Sequence, residues 1–185
     1  MFIELLTAVG IGAAALPSNA SEPTPIIDYP DPTEVMCLAE NMYHEAKNQG
    51  TAGWSAVASV TFNRIRDSRF PDTVCEVVKQ GPTRESWKTR LLDLPDEERK
   101  YYPIRHRCQF SWYCDGKSDD IPSFDGKLFE IIYDYAELYL RPDIILIDIT
   151  DGATHYHADY VFPAWRKSKT KTVEIGDHIF YRWEK

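Results

Sequence analysis

Residues 31–50 read DPTEVMCLAENMYHEAKNQG. Asp31 or Thr33 can cap the free amides of a helix start, and Glu34 suits the positive helix end. Val35, Leu38, Ala39, Met42, Tyr43 and Ala46 recur at i, i+3 and i+4, which is one apolar helical face running to about Lys47. Asn48-Gln49-Gly50 ends it. A second helix follows from Thr51 to about Arg66, and its small residues (Ala52, Gly53, Ser55, Ala56, Ala58, Ser59) let another helix approach closely. Pro71-Asp72-Thr73-Val74 starts a short third helix, with Pro where its missing N–H costs little, and Gly81-Pro82 stops it. Thr83 to Leu94 suits a charged helix broken by Pro95, and 101–123 an irregular structured loop. Leu128, Ile131, Ile132, Tyr135 and Leu138 mark a helix within Phe124 to Leu140, ended by Arg141-Pro142. Ile144 to Ile149 suits a buried strand or a loop. Val173-Glu174-Ile175 and His178-Ile179-Phe180-Tyr181 flank Gly176-Asp177 as a small hairpin. The expected class is α+β, mainly α-helical, in a single domain.

The 185 residues fit one domain, and 43% hydrophobic with 27% charged residues is a globular composition. A net charge of −8 argues against a general nucleic-acid binder, which carries a basic field. Aromatics reach 13%, which suits a core and equally a groove that stacks sugar rings. Residues 1–20 read as a signal peptide or weak membrane anchor: Leu5 to Leu16 is apolar and Ser18-Asn19-Ala20 offers small residues for cleavage, although Glu4 stands where a cation is usual. Residues 21–32 read as a linker and 33–185 as the functional domain. The four cysteines, Cys37, Cys75, Cys108 and Cys114, suggest disulfides in an exported chain. Three pairings are open, among them Cys37–Cys75 with Cys108–Cys114. The absence of a C-x-x-C pair counts against zinc.

Glu45 stands out chemically. At the C-terminal end of an amphipathic helix, the negative helix end and partial desolvation both favour its protonated form. A neutral carboxylic acid near pH 7 is what leaving-group protonation in glycoside cleavage requires. His44-Glu45 begins like a zinc-protease helix, but Asn48 replaces the required second His. His155-x-His157 can ligate metal on a strand and, with His44, gives a three-imidazole alternative; a polar, hydrogen-bonded setting is preferred, with no metal. No G-x-S-x-G supports a serine nucleophile.

Taken together, 37-CLAENMYHEAK-47, 53-GWSAVASVTFNR-64, 70-FPDTVCEVV-78, 108-CQFSW-112, 152-GATHYH-157, 163-PAW-165 and 175-IGDHIFYR-182 resemble, in order, the SleB-type cell-wall hydrolases, a family named from spore-cortex-lytic enzymes and also found in bacteriophages. The likeness spans about 33–182. It implies a lysozyme-like fold and cleavage of peptidoglycan glycan strands, by lytic transglycosylases or by glucosaminidases. The family's acid, in its Glu-Ala-basic motif, falls on Glu45. Gln49 stands where many relatives carry a second Glu, and Gly81 to Arg107 is longer than in compact members.

A single acid suffices for transglycosylase chemistry: Glu45 protonates the glycosidic oxygen, then takes a proton from the substrate's C6 hydroxyl as it attacks the anomeric carbon. A hydrolase would need a second carboxylate, roughly 5–5.5 Å away for retention or roughly 6.5–9.5 Å for inversion. Asp119, Asp120 and Asp151 are available but stand in no assignable motif. Gln109, Ser111, Tyr156 and His157 are the expected substrate-binding residues, since amide and hydroxyl groups bond sugar hydroxyls and N-acetyl groups. Trp112 and Trp165 fit the core better than a sugar platform, and His178 and Tyr181 fit hairpin packing. The leading expectation is a lytic transglycosylase exported to the periplasm or cell wall. It would be a monomer acting on peptidoglycan without cofactor or nucleic acid, with at most transient membrane contact through its N-terminus. The alternatives are a hydrolytic N-acetylglucosaminidase or muramidase, a metal-dependent wall amidase or peptidase, and a non-catalytic wall-binding module.

Overall fold

A computed structural model describes residues 29–184; the leader expected at 1–20 and most of the linker at 21–32 lie outside the described residues. Helix α1 (Pro32–Ala46) starts where Asp31 accepts the Thr33 amide at 2.8 Å. It packs against α2 (Gly50–Ile65), α3 (Val74–Val78) and α5 (Gly126–Leu140). Their shared core contains Val35, Leu38, Ala39, Met42, Val57, Val77, Phe110, Ile132 and Ala136. Each aliphatic side chain so buried stabilises the fold by roughly 1.5–3 kcal/mol relative to exposure. The small residues of α2 do what their size allows: Gly53, Ala56, Ala58 and Ser59 are all buried. Trp54 Nε1 donates to the Ala46 carbonyl at 3.1 Å, so an α2 side chain satisfies an open acceptor at the end of α1.

Two corrections concern the middle of the chain. Helix α3 begins after Thr73, whose side chain accepts the Glu76 amide, so a threonine cap starts the helix and Pro71 lies before it. The expected helix over 83–94 is divided. Thr83–Glu85 is strand β1, antiparallel to β2 (Tyr101–Pro103), and only Trp87–Leu91 forms a helix, α4. Pairing with a strand distant in sequence overrides the local helical preference there. The 101–123 segment also contains a 3-10 turn, Ser111–Cys114, and Ile144–Ile149 is loop.

The C-terminal hairpin, β4 (Thr170–Ile175) and β5 (His178–Arg182), turns at Gly176 with φ +56°. It is larger than expected: β3 (His155–Ala158) pairs antiparallel with β5 and puts β5 at the centre of the sheet. Phe180, Ala153, Ala56 and Val60 form a second core cluster between sheet and α2. The mainly helical α+β class is therefore the observed one. Disulfides Cys37–Cys75 and Cys108–Cys114 join all four cysteines. Among the described residues, no helix is long and apolar enough to cross a membrane.

Candidate active site

The C-terminal end of α1, the C-terminal end of α2, the loop held by Cys108–Cys114, and strand β3 meet at a cavity of about 370 Å³. Glu45, Gln109, Ser111, Tyr156 and His157 all line it. Residues as far apart as 45 and 157 in sequence thus converge, and the five candidates are all present. Arg64, Phe110, Ala158, Tyr160 and His178 complete the lining.

Glu45 is set by its surroundings. Burial pushes its carboxyl above the ordinary value; the Tyr156 hydroxyl and the Arg64 charge oppose that rise. Tyr156 Oη donates to Glu45 Oε2 at 3.0 Å. One carboxyl oxygen is thereby fixed, leaving Oε1 as the position for a transferable proton. Burial beside Glu45 drives the Tyr156 phenol well above its ordinary pKa, so it remains a donor.

Arg64 was part of a quoted motif but had no role assigned from sequence. It is only 3% exposed, at the end of α2. Its Nε donates to the Thr154 carbonyl at 2.8 Å, and its guanidinium lies 4.7 Å from the Phe110 ring centroid. Burial lowers its pKa to about 10, still high enough to keep it cationic at neutral pH. The sequence signal was an arginine closing an otherwise small and apolar helix. Its burial became legible only with Phe110 and Thr154 in place.

The Gln109–Ser111 wall is bracketed by the Cys108–Cys114 bridge and anchored by Gln109 N–H donating to the Gln80 carbonyl at 2.9 Å. Gln109 and Ser111 are exposed, as groups awaiting a ligand must be. His157 is more occupied. Its Nδ1 lies 2.8 Å from the Ala158 carbonyl, which can only accept, so Nδ1 carries the proton; Nε2, at 3.1 Å, then accepts from the Tyr181 hydroxyl. His178, expected to pack within the hairpin, also lines the cavity, with its ring 4.8 Å from Tyr156.

Trp112 is buried, donates to Asn41 Oδ1 at 3.0 Å and stacks on His44, which agrees with a core role. The three histidines of the metal alternative are engaged separately: His44 with Trp112 and the Asp119 carbonyl, His155 with Thr154, and His157 with Tyr181. Among the described residues, no group of three or more His, Cys, Asp or Glu side chains is arranged to hold a metal ion. Gln49 does not reach toward Glu45; its Oε1 accepts the Asp177 amide at 3.3 Å and so ties the hairpin turn to the start of α2. Asp151 pairs with Arg182, Asp120 bonds Ser118, and Asp119 lies by His44; none lines the cavity.

A family model described as cell wall hydrolase matches residues 48–181. The chain belongs to the cell wall hydrolase family. Glu45 lies just ahead of the matched region, while Arg64, Gln109, Ser111, Tyr156, His157 and His178 lie within it. This cell wall hydrolase is similar to the catalytic domain of the Bacillus cereus SleB protein: 20% identity, 88% of this chain, 100% of that one, TM-score 0.49. It is also similar to the catalytic domain of the germination-specific lytic transglycosylase SleB from Bacillus anthracis: 18% identity, 90% of this chain, 100% of that one, TM-score 0.45. No curated protein matches. As a member of its family, this cell wall hydrolase is an enzyme acting on peptidoglycan, outside the cytoplasm.

Proposed function

We propose that the chain cleaves peptidoglycan glycan strands as a lytic transglycosylase, with Glu45 as both acid and base. One observation carries this reading: among the described residues, Glu45 is the only carboxylate lining the cavity, and its environment favours the protonated form. Glu45 donates its proton to the glycosidic oxygen as the bond to the anomeric carbon breaks. Tyr156 and the Arg64 charge stabilise the resulting carboxylate, which then accepts the proton of the substrate's C6 hydroxyl. That hydroxyl closes on the anomeric carbon, giving a 1,6-anhydro end and regenerating the acid. An internal nucleophile needs no second carboxylate and avoids recruiting a separate water. Gln109 and Ser111 supply exposed polar groups for sugar hydroxyls and N-acetyl groups. The family's place of action and the two disulfides support export to the periplasm or wall.

Digestion of purified peptidoglycan in heavy-oxygen water, followed by mass analysis, tests the reaction. The expected products are anhydro-muropeptides, each one water lighter than its hydrolytic counterpart and unlabelled. Labelled reducing ends would instead indicate a hydrolytic glucosaminidase or muramidase. Cleavage confined to peptide stems would reject glycan cleavage altogether.

A further inference from the structure

Gly81 to Arg107 has the opposite charge balance to the whole chain: seven Lys and Arg against five Asp and Glu, in a protein of net charge −8. Its fold sorts those charges. Arg99 gathers Glu85, Asp93 and Asp96, at 3.9, 3.7 and 3.4 Å. Arg84, Lys88 and Arg90 have no ion-pair partner among the described residues, and all three line one cleft of about 580 Å³ with Ser86, Trp87, Tyr102, Pro103 and one carboxylate, Glu85, which Arg99 faces. Trp87 is 62% exposed and Tyr102 57%, and Lys88 Nζ lies 5.8 Å from the Trp87 ring centroid, so two exposed aromatics stand beside cations without carboxylate partners.

The cleft is continuous with the candidate active site through the backbone. Gln109, on the active-site wall, bonds to Gln80; Ile104 then bonds to Pro82, and the β1–β2 ladder pairs Arg84 with Tyr102. At roughly 3.3 Å per residue, the four steps from Gln80 to Arg84 span at most on the order of 13 Å. Arg84 therefore lies within that span of Gln80, the residue that anchors the Gln109 wall of the candidate site.

We propose that this cleft is an accessory subsite for the carboxylate-bearing peptide stems of peptidoglycan. The cations pair with stem carboxylates, and Trp87 and Tyr102 cover the apolar faces of the adjoining sugar or stem residues. The inference rests on the glycan-cleaving reading, to which it adds which strands are preferred. A membrane surface is the rival occupant, since Leu91 and Leu92 at the end of the same helix are also exposed; the backbone link to the Gln109 wall favours the strand.

The test uses binding by the full chain carrying Glu45→Gln, so that ligand persists during measurement. Fluorescence anisotropy compares soluble glycan fragments with stems intact against the same fragments stripped of stems by an amidase. The expected result is preference for intact strands by about five- to tenfold, weakened by salt as exposed charge pairs are. Adding Arg84→Gln and Lys88→Gln should abolish that preference; both side chains are exposed, so the fold should survive. Equal binding of both ligands by the parent, binding of neither, or a preference that survives the double substitution would overturn the subsite. Cleft-dependent binding to vesicles of anionic lipid without stem preference would assign the surface to a membrane and overturn it as well. The glycan-cleaving reading fails separately, if the unsubstituted chain releases no glycan fragments.

Discussion

Burial and hydrogen bonding pull the Glu45 carboxyl in opposite directions. Burial raises its pKa, whereas Tyr156 and Arg64 lower it. The balance fits a group that must give up a proton and then hold a charge. Glu45→Gln preserves shape and loses the titrating proton; turnover on peptidoglycan should fall by at least ~10²–10⁴-fold with the fold intact. Near-native turnover in a folded variant would remove Glu45 from the mechanism. Tyr156→Phe makes a subtler prediction with a definite sign. It deletes a hydrogen bond that favours the carboxylate, so the Glu45 pKa should rise further. The alkaline limb of the kcat/KM profile, where the acid is lost, should then move to higher pH while the maximal rate falls. A limb that stays in place or moves down would show that Tyr156 does not govern that proton.

The elements differ in how openly the sequence declared them. Helix α1 was legible because it buries an apolar stripe; α2 was read from its small residues and is buried without a break from Ala56 to Thr61, and the stripe expected on α5 buries Ile132 but leaves Ile131 and Leu138 exposed. Strand β3 was not legible, since His155-Tyr156-His157-Ala158 has no apolar alternation and is defined by pairing with β5. The β1–β2 ladder escaped for the same reason: pairing partners far apart in sequence leave no local period. The five candidate residues were legible as chemical types within quoted motifs, but Arg64 and His178 entered the site only through packing. The two disulfides serve different elements, and their loss should separate. Cys37–Cys75 ties α1 to the region of α3 across a separation of 38 residues, against 6 for Cys108–Cys114. Loop-closure entropy assigns about 4 kcal/mol to the former and about 2 kcal/mol to the latter. Paired Cys→Ser substitutions should therefore lower the urea midpoint more at 37/75. The 108/114 pair should mainly raise KM, because it frees the Gln109–Ser111 wall. The reverse ranking in both readouts would reject this division of labour.

Across the whole molecule, titratable groups buried inside the cavity and outside it bear on stability. Burial lowers the pKa values of His44, His155 and His178, with His155 falling to about 3 from 6.5. Below pH 6.5 the unfolded chain takes up protons at these positions while the folded chain resists. Stability should thus be complete above that pH and decline as pH falls from it. Each proton taken up on unfolding steepens the dependence by about 1.4 kcal/mol per pH unit. Glu45 acts with the opposite sign. Its raised pKa means that the folded chain holds a proton above pH 4.5 that the unfolded chain has lost, so stability from this group falls as pH rises through that window. Burial raises the Glu40 and Asp119 carboxyls as well, so three carboxyls oppose three imidazoles, and His155, neutral down to about pH 3, is the imidazole that acts in full between pH 6.5 and 4.5. Urea unfolding across that range should show a falling midpoint with decreasing pH. His155→Gln should flatten the fall by removing one titrating group, and Glu45→Gln should steepen it by removing the opposing one. The latter variant should also be more stable than the parent at neutral pH, since it no longer buries an ionisable carboxyl in the cavity. A slope unchanged by His155→Gln, or a Glu45→Gln variant less stable than the parent at neutral pH, would mean that these groups do not set the stability of the fold.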